Sequence, residues 1–378
     1  MKLGRNFLLA CSLLLVTGLV LSDLVFHSTR EKEETYDLLK IFTQAFTITS
    51  SQYVEEMQPS DLLRSSMEGL VSSLDGISYY IPSDRIEDFR AYQAMEKRES
   101  GIRLARSGNF TYVLSVIKGS PADTSGIRTG DILEQVGHKD TGPLGLWEIE
   151  SVLAGSGGEE IVLGLVRNDD DEPTQVTLNL TPFTLPVYED SDHAKLPVLT
   201  LYTVNEESVS RALDRLQSLK GTPFILDLRS AVNGSYQSAV DFAGYLGVTD
   251  KSVTLQGKKY EPEKISTRVK PVEHGPFVIF VNNSLAGPAE LLAGLLQGSD
   301  GVTLVGETTA GLVGMQKFIP LKEGGLWVTI ASFHIQDTII HGKGLTPDSP
   351  VSSRIHRGPN QEDAYFEKAE EILQATRG

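Results

Sequence analysis

A chain of 378 residues with 40% apolar composition is long enough for two or three domains with ordinary buried cores. Its 50 acidic against 34 basic residues leave a formal charge of −16, which repels phosphate backbones and argues against a nucleic-acid partner. One cysteine, Cys11, excludes an intrachain disulfide and any cysteine-rich metal site.

Lys2 and Arg5 precede an apolar run from Phe7 to Leu21, which Leu24-Val25-Phe26 extends. This is the pattern of a secretory signal or a short membrane anchor over 1–26. An uncleaved anchor is the reading taken, with cleavage after Val20-Leu21-Ser22 as the alternative; Cys11 reads as apolar filler. The rest of the chain is then exported into a bacterial-type cell envelope, membrane-anchored or periplasmic. From 27 to 95 the apolar positions recur at helical spacing: Tyr36, Leu39, Ile41, Phe42, Phe46 and Ile48 in one helix, Leu62, Leu63, Met67, Leu70 and Leu74 in a second. Pro59-Ser60-Asp61 opens the second helix. The segment LDGISYYIPSDRIEDF, 74–89, closes this helical domain with turn signals at Asp75-Gly76 and Pro82-Ser83-Asp84 and supplies no catalytic chemistry.

Between 96 and 184 the period changes to two, with strands over 112–117, 161–166 and 175–180 and a short helix over 148–155. Small strands around short helices make a compact, partly open β-barrel. The order of these pieces, and the spaced pattern GSPADTSGIRTGDIL, resemble a PDZ domain. In such a module the amides around Gly101 and Ile102, within Ser100-Gly101-Ile102-Arg103-Leu104, form a nest for a carboxylate. An extended peptide adds as a strand beside it. The ligand would be a protein C-terminus or an unstructured peptide. Arg103, where the family often has a small residue, either charges that pocket or points into solvent, and solvent is the reading taken. The plainer alternative is a structural spacer with a disused groove.

After a DDDE run at 169–172, read as a solvated hairpin tip, strands and helices alternate from 185 to 378. Leu196–Thr203 reads as a strand, Glu206–Leu219 as an amphipathic helix, Pro223–Leu228 as a buried strand and Tyr236–Leu246 as a helix. The loop between the last two carries Asn233 and Gly234, and such a loop can aim backbone N–H groups at an oxyanion. PFVIFVNN (276–283), a turn of small residues and a helix over Glu290–Gln297 follow, the strand–turn–helix arrangement with which many hydrolases present a nucleophile. No HExxH, CxxC, phosphate loop or dinucleotide fingerprint is present, so neither metal nor cofactor is expected.

With LDGISYYI, the PDZ-like segment, ILDLR (225–229), GETTAG (306–311), GKGLTPD (342–348) and a final helix over Asp363–Ala375, the chain resembles the carboxy-terminal processing, or tail-specific, peptidases. The resemblance implies an α/β protein: a helical N-terminal domain, a PDZ-like β-barrel module and an α/β tail-specific-protease core. Family members use a serine nucleophile three residues before a helix-opening glutamate, a lysine base about 25 residues later, and a glutamine four after that. Here the glutamate is Glu290, so the nucleophile position falls on Gly287, the lysine position on Leu312 and the glutamine on Gln316. Glu290 and the GETTAG turn give the same register independently. Glycine has no nucleophile and leucine accepts no proton, which implies a pseudoprotease that binds C-terminal peptides as a regulator or scaffold for another envelope protease or its substrate. Gln316 then reads as a fold residue bonded locally, and Asn233-Gly234 keeps one glycine of the family's Pro-Gly-Gly turn. Two other readings stand beside this one. One is an active serine endopeptidase with a displaced pair, Ser284 and Lys317; the other is an assembly subunit that forms a homodimer through its terminal helical segments. His334 reads as filling a strand face and His341 a turn.

Overall fold

The computed structural model describes residues 36–95, 98–107, 110–156, 160–167, 173–231, 233–351 and 361–375. The expected anchor at 1–26 with Cys11, the acidic run at 169–172 and Val232 lie outside these residues. Two compact units divide between Met67 and Glu68. The first contains helix α1, over 36–52, and the start of helix α2, Pro59–Ser72. The apolar stripe expected on α1 exists, but Tyr36, Leu39, Ile41, Phe42 and Ile48 are all exposed. Among the described residues no helix is long and apolar enough to cross a membrane.

In the second unit strand β1 (Tyr79–Ile81) and helix α3 (Ile86–Ala94) come first. The PDZ-like module follows as β2 (Ile102–Ser107), β3 (Phe110–Val116), α4 (Pro121–Thr124), β4 (Ile132–Val136), β5 (Lys139–Asp140), α5 (Leu146–Ser151), β6 (Glu160–Val166) and β7 (Thr174–Asn179). Its antiparallel sheet runs β2-β3-β4-β6-β7, with β5 beside β4. Alternation puts Val113, Leu133, Leu163, Leu165 and Leu178 on the inner face, where Ile149 and Leu153 from the α5 region close the core.

The remaining elements are β8 (Tyr188–His193), β9 (Leu196–Leu201), β10 (Thr203–Val204), α6 (Glu206–Leu219), β11 (Phe224–Asp227), β12 (Asn233–Gly234), α7 (Tyr236–Tyr245), β13 (Val253–Gly257) and β14 (Tyr260–Ile265). Then come β15 (Phe277–Val281), α8 (Gly287–Leu296), β16 (Val302–Gly306), β17 (Gly314–Pro320), β18 (Gly325–Ile335), β19 (Thr338–Ile339), β20 (Ser349–Pro350) and α9 (Gln361–Ala375). One sheet runs β20-β16-β15-β11-β9-β8, parallel except for the β8–β9 hairpin. Its strands are apolar on both faces because both are covered. Phe277, Ile279 and Val281 of β15 pack with α6, α7 and α8, while Val278 and Phe280 pack with Tyr365, Phe366 and Leu373 of α9. Helix α6 shows the local logic: the Asn205 side chain accepts the Ser208 amide at 2.9 Å, the Ser208 hydroxyl receives the Asn205 amide, and Glu206 and Glu207 sit at the positive helix end.

A second sheet, β1-β18-β13-β14, also receives β17 and β19 along β18. Tyr79–Ile81, expected at the turn-rich end of a helical domain, thus pair antiparallel with Gly325–Trp327. Nothing in the local period of LDGISYYI distinguishes a short strand from a turn; its partner lies far along the chain.

Candidate functional site

The site is organised by Glu290, in the first turn of α8 and fully buried. Its carboxylate accepts the Thr309 hydroxyl and the amides of Gly311 (2.7 Å) and Leu312 (3.0 Å). Burial pushes its pKa up from 4.5, and these hydrogen bonds pull against that shift. The Ala310 amide donates to the Leu285 carbonyl and the Leu345 amide to the Thr309 hydroxyl, so the GETTAG and GKGLTPD turns are pinned to the start of α8.

That latch brings together two positions 25 apart in sequence: the Gly287 amide donates to the Leu312 carbonyl at 3.0 Å. Gly287 has φ +62, the left-handed region that favours glycine. A Cβ placed on it would have the Tyr236 hydroxyl, 3.9 Å away, as its nearest neighbour. Helix α8 therefore begins three residues before the glutamate, on the turn itself, with Pro288 in its first turn. Tyr236 donates to the Gly314 carbonyl at 3.2 Å and stacks on Phe333. Burial pushes its phenol up to about 12, so it stays protonated at neutral pH.

Gln316 is not bonded locally: its amide reaches the Ile77 carbonyl at 2.7 Å. Beside it, Asp75 accepts the amides of Ile77 (3.0 Å) and Ser78 (2.6 Å) and the Thr329 hydroxyl (2.8 Å), with His341 Nε2 at 3.7 Å. Burial alone would raise this carboxyl, but the nearby His341 ring and the hydrogen bonds from Ser78, Thr329 and Ile77 hold it well below its usual range. The His341 Nδ1 is buried without a hydrogen-bond partner. Asp75 and His341 were legible in the sequence as turn residues, not as a pair; no spacing signal joins positions so far apart.

Ser284 and Lys317 are not brought together by any bond among the described residues. The Ser284 hydroxyl donates to Asn282 Oδ1 at 2.9 Å and lies 3.4 Å from the Arg229 carbonyl, while Lys317 is exposed on β17. Asn233 and Gly234 pair with Thr203 and Val204. A Cβ on Gly234 would stand 2.4 Å from the Val204 carbonyl, so this glycine is required by a close backbone approach. The following Ser235 amide is bonded to that same carbonyl. His334 does fill a strand face, held between Gln256 and Ser332.

In the PDZ-like module the expected nest is filled from within. The Gly101 amide bonds to Glu99 Oε1 at 2.9 Å and the Ile102 amide faces the Ser100 hydroxyl at 3.3 Å. Arg103, expected in solvent, instead grips both oxygens of Glu99 at 2.9 and 3.0 Å, because a carboxylate four residues back offers a bidentate partner. Leu104 is buried in the module core. Where β11, β15 and β16 end, a cavity of about 500 Å³ opens between Arg229, Asn282, Glu307 and Tyr365 of the core and Tyr112 and Arg128 of the module. Carboxyl ends of parallel strands are where open α/β sheets bind ligands.

Comparison with known proteins gives two family matches: residues 195–351 match the model of peptidase family S41, and residues 112–167 match that of the PDZ domain. The chain is 26% identical over 341 residues to the carboxy-terminal-processing protease of Bartonella bacilliformis, covering 87% of this chain and 78% of that protein. It is 24% identical over 314 residues to a carboxy-terminal processing protease of Bacillus subtilis, covering 80% and 67% respectively. In fold it is similar to a solved photosystem II D1 C-terminal processing protease, with a TM-score of 0.64, 21% identity and coverage of 83% of this chain and 87% of that one. The chain thus joins a stretch that matches the PDZ domain to one that matches peptidase family S41, and over most of its length it is similar to carboxy-terminal processing proteases.

Proposed function

We propose that this protein is a catalytically degenerate relative of the carboxy-terminal processing proteases that holds C-terminal or unstructured peptides instead of cutting them. The observation that carries the reading is the Gly287–Leu312 bond: the turn that presents a nucleophile and the turn that presents its base meet, and neither residue has the required side chain. Of the hydroxyls around them, Tyr236 donates to Gly314, Thr309 to Glu290 and Ser284 to Asn282. The cavity at the strand ends offers room for an extended segment. In this reading residues 96–184 recruit a peptide and residues 185–378 hold it, for an exported protein anchored by 1–26 in the cell envelope that regulates or scaffolds an envelope protease or its substrate.

The test is peptide hydrolysis by the full chain beside a Gly287→Ser/Leu312→Lys variant, with a serine-reactive phosphonate as a probe. The wild type is expected to be inactive and unlabelled, and the double variant to gain hydrolysis and stoichiometric label at residue 287. Stoichiometric labelling of the wild type, or hydrolysis that Ser284→Ala abolishes, would sink the reading in favour of a displaced catalytic site.

A further inference from the structure

The carboxylate of Glu99 sits where the peptide-holding reading, on which this inference rests, puts a ligand's own carboxylate. It accepts the Gly101 amide and both terminal guanidinium nitrogens of Arg103, and the pair is about three-quarters buried, with 24% and 25% of the side chains exposed. Two further features make the place a peptide seat. Strand β2, which leaves this loop, pairs with β3 alone among the described residues, so beyond Ile102, whose carbonyl accepts Arg103 Nη1 at 3.0 Å, its other edge carries no strand and can take an added one. The Arg98 amide bonds to the Ala154 carbonyl at 3.0 Å, which fixes the backbone beside Glu99 against the turn that follows α5.

We propose that Glu99 is an internal stand-in for a peptide's terminal carboxylate: it fills the seat formed by the Gly101 amide and the Arg103 guanidinium, and a free C-terminus binds by displacing it. The ligand class is a peptide ending in a free α-carboxylate. Arg103 is the specificity determinant, because a planar guanidinium takes either carboxylate bidentately. In the empty module Glu99 keeps that partly buried charge paired, which avoids the cost of an isolated guanidinium. Affinity is lowered by the competition, since each ligand must first break the internal pair.

The experiment measures, on the full chain, the binding of a fluorescein-labelled degenerate heptapeptide pool with free α-carboxylates and of the same pool amidated. Glu99→Gln is expected to bind the free-carboxylate pool at least tenfold more tightly than wild type, with the amidated pool unchanged. Glu99→Ala is expected to give the same gain, and Arg103→Gln in the Glu99→Gln background to abolish it. Equal affinity of wild type and both Glu99 variants for the free-carboxylate pool, or equal tightening of both pools, overturns the inference while leaving peptide holding intact. Absence of binding by wild type and every variant overturns both.

Discussion

In the peptide-holding reading Gly287 stands where a nucleophile would, and its backbone is as informative as its lack of a side chain. At φ +62 an L-residue is strained, yet the Cβ position meets only the Tyr236 hydroxyl, at an ordinary contact distance. Gly287→Ala is therefore expected to cost about 1 kcal/mol through the backbone alone, read as a shift in urea midpoint with unchanged slope. A much larger loss would mean that the cleft has closed over this position. The buried Glu290 explains why the register could be counted from sequence. One carboxylate on α8 binds the turn over 309–312, so the spacing between the two reflects a single physical latch.

At the scale of elements, the loop before β1 is joined to the β17–β18 hairpin by polar contacts. Asp75 bonds to Thr329 of β18, and Gln316 of β17 bonds to the Ile77 carbonyl. A carboxyl held below its ordinary 3.8 in the fold stabilises the protein above that value, and the contribution is lost as pH falls through 3.8 toward the lower folded value. Asp75→Asn is therefore expected to be less stable than wild type by about 1–3 kcal/mol at neutral pH, with the gap narrowing below about pH 4. Denaturant titrations of both proteins across that range check it; a gap independent of pH would assign Asp75 a role in shape alone.

At the scale of the molecule, the PDZ domain and the peptidase core meet through aromatic rings. Phe89 of α3 lies 5.3 Å from Trp147 of the PDZ domain and 5.8 and 6.0 Å from Trp327 and Phe318 of the core hairpin, centroid to centroid. Tyr92 adds a 2.8 Å hydrogen bond to Glu150 of α5. Removing a buried phenylalanine ring costs about 3–5 kcal/mol, so Phe89→Ala is expected to lower stability by that amount. Both tryptophans of the chain flank this ring, so intrinsic fluorescence reads the change directly. Unchanged emission and stability would show that the modules dock without it.

What the sequence determined by itself was whatever is local or periodic. Alternation marked the strands of the PDZ domain, the doubly apolar run 276–283 marked a strand covered on both faces, and counting from Glu290 paired 287 with 312, which a hydrogen bond joins. These follow from side-chain direction along one element or from counting along one stretch, which the chain carries in its order. Tertiary structure alone decided that Tyr79–Ile81 pair with β18, that Gln316 reaches residue 77, that Asp75 faces His341 and that Ser284 is bonded away from Lys317. It also decided that Glu99 turns into the nest at Gly101 and takes Arg103 with it. Each of these depends on which rotamer a packed neighbourhood leaves open or on segments brought together by the fold, and neither is written in the spacing of residues.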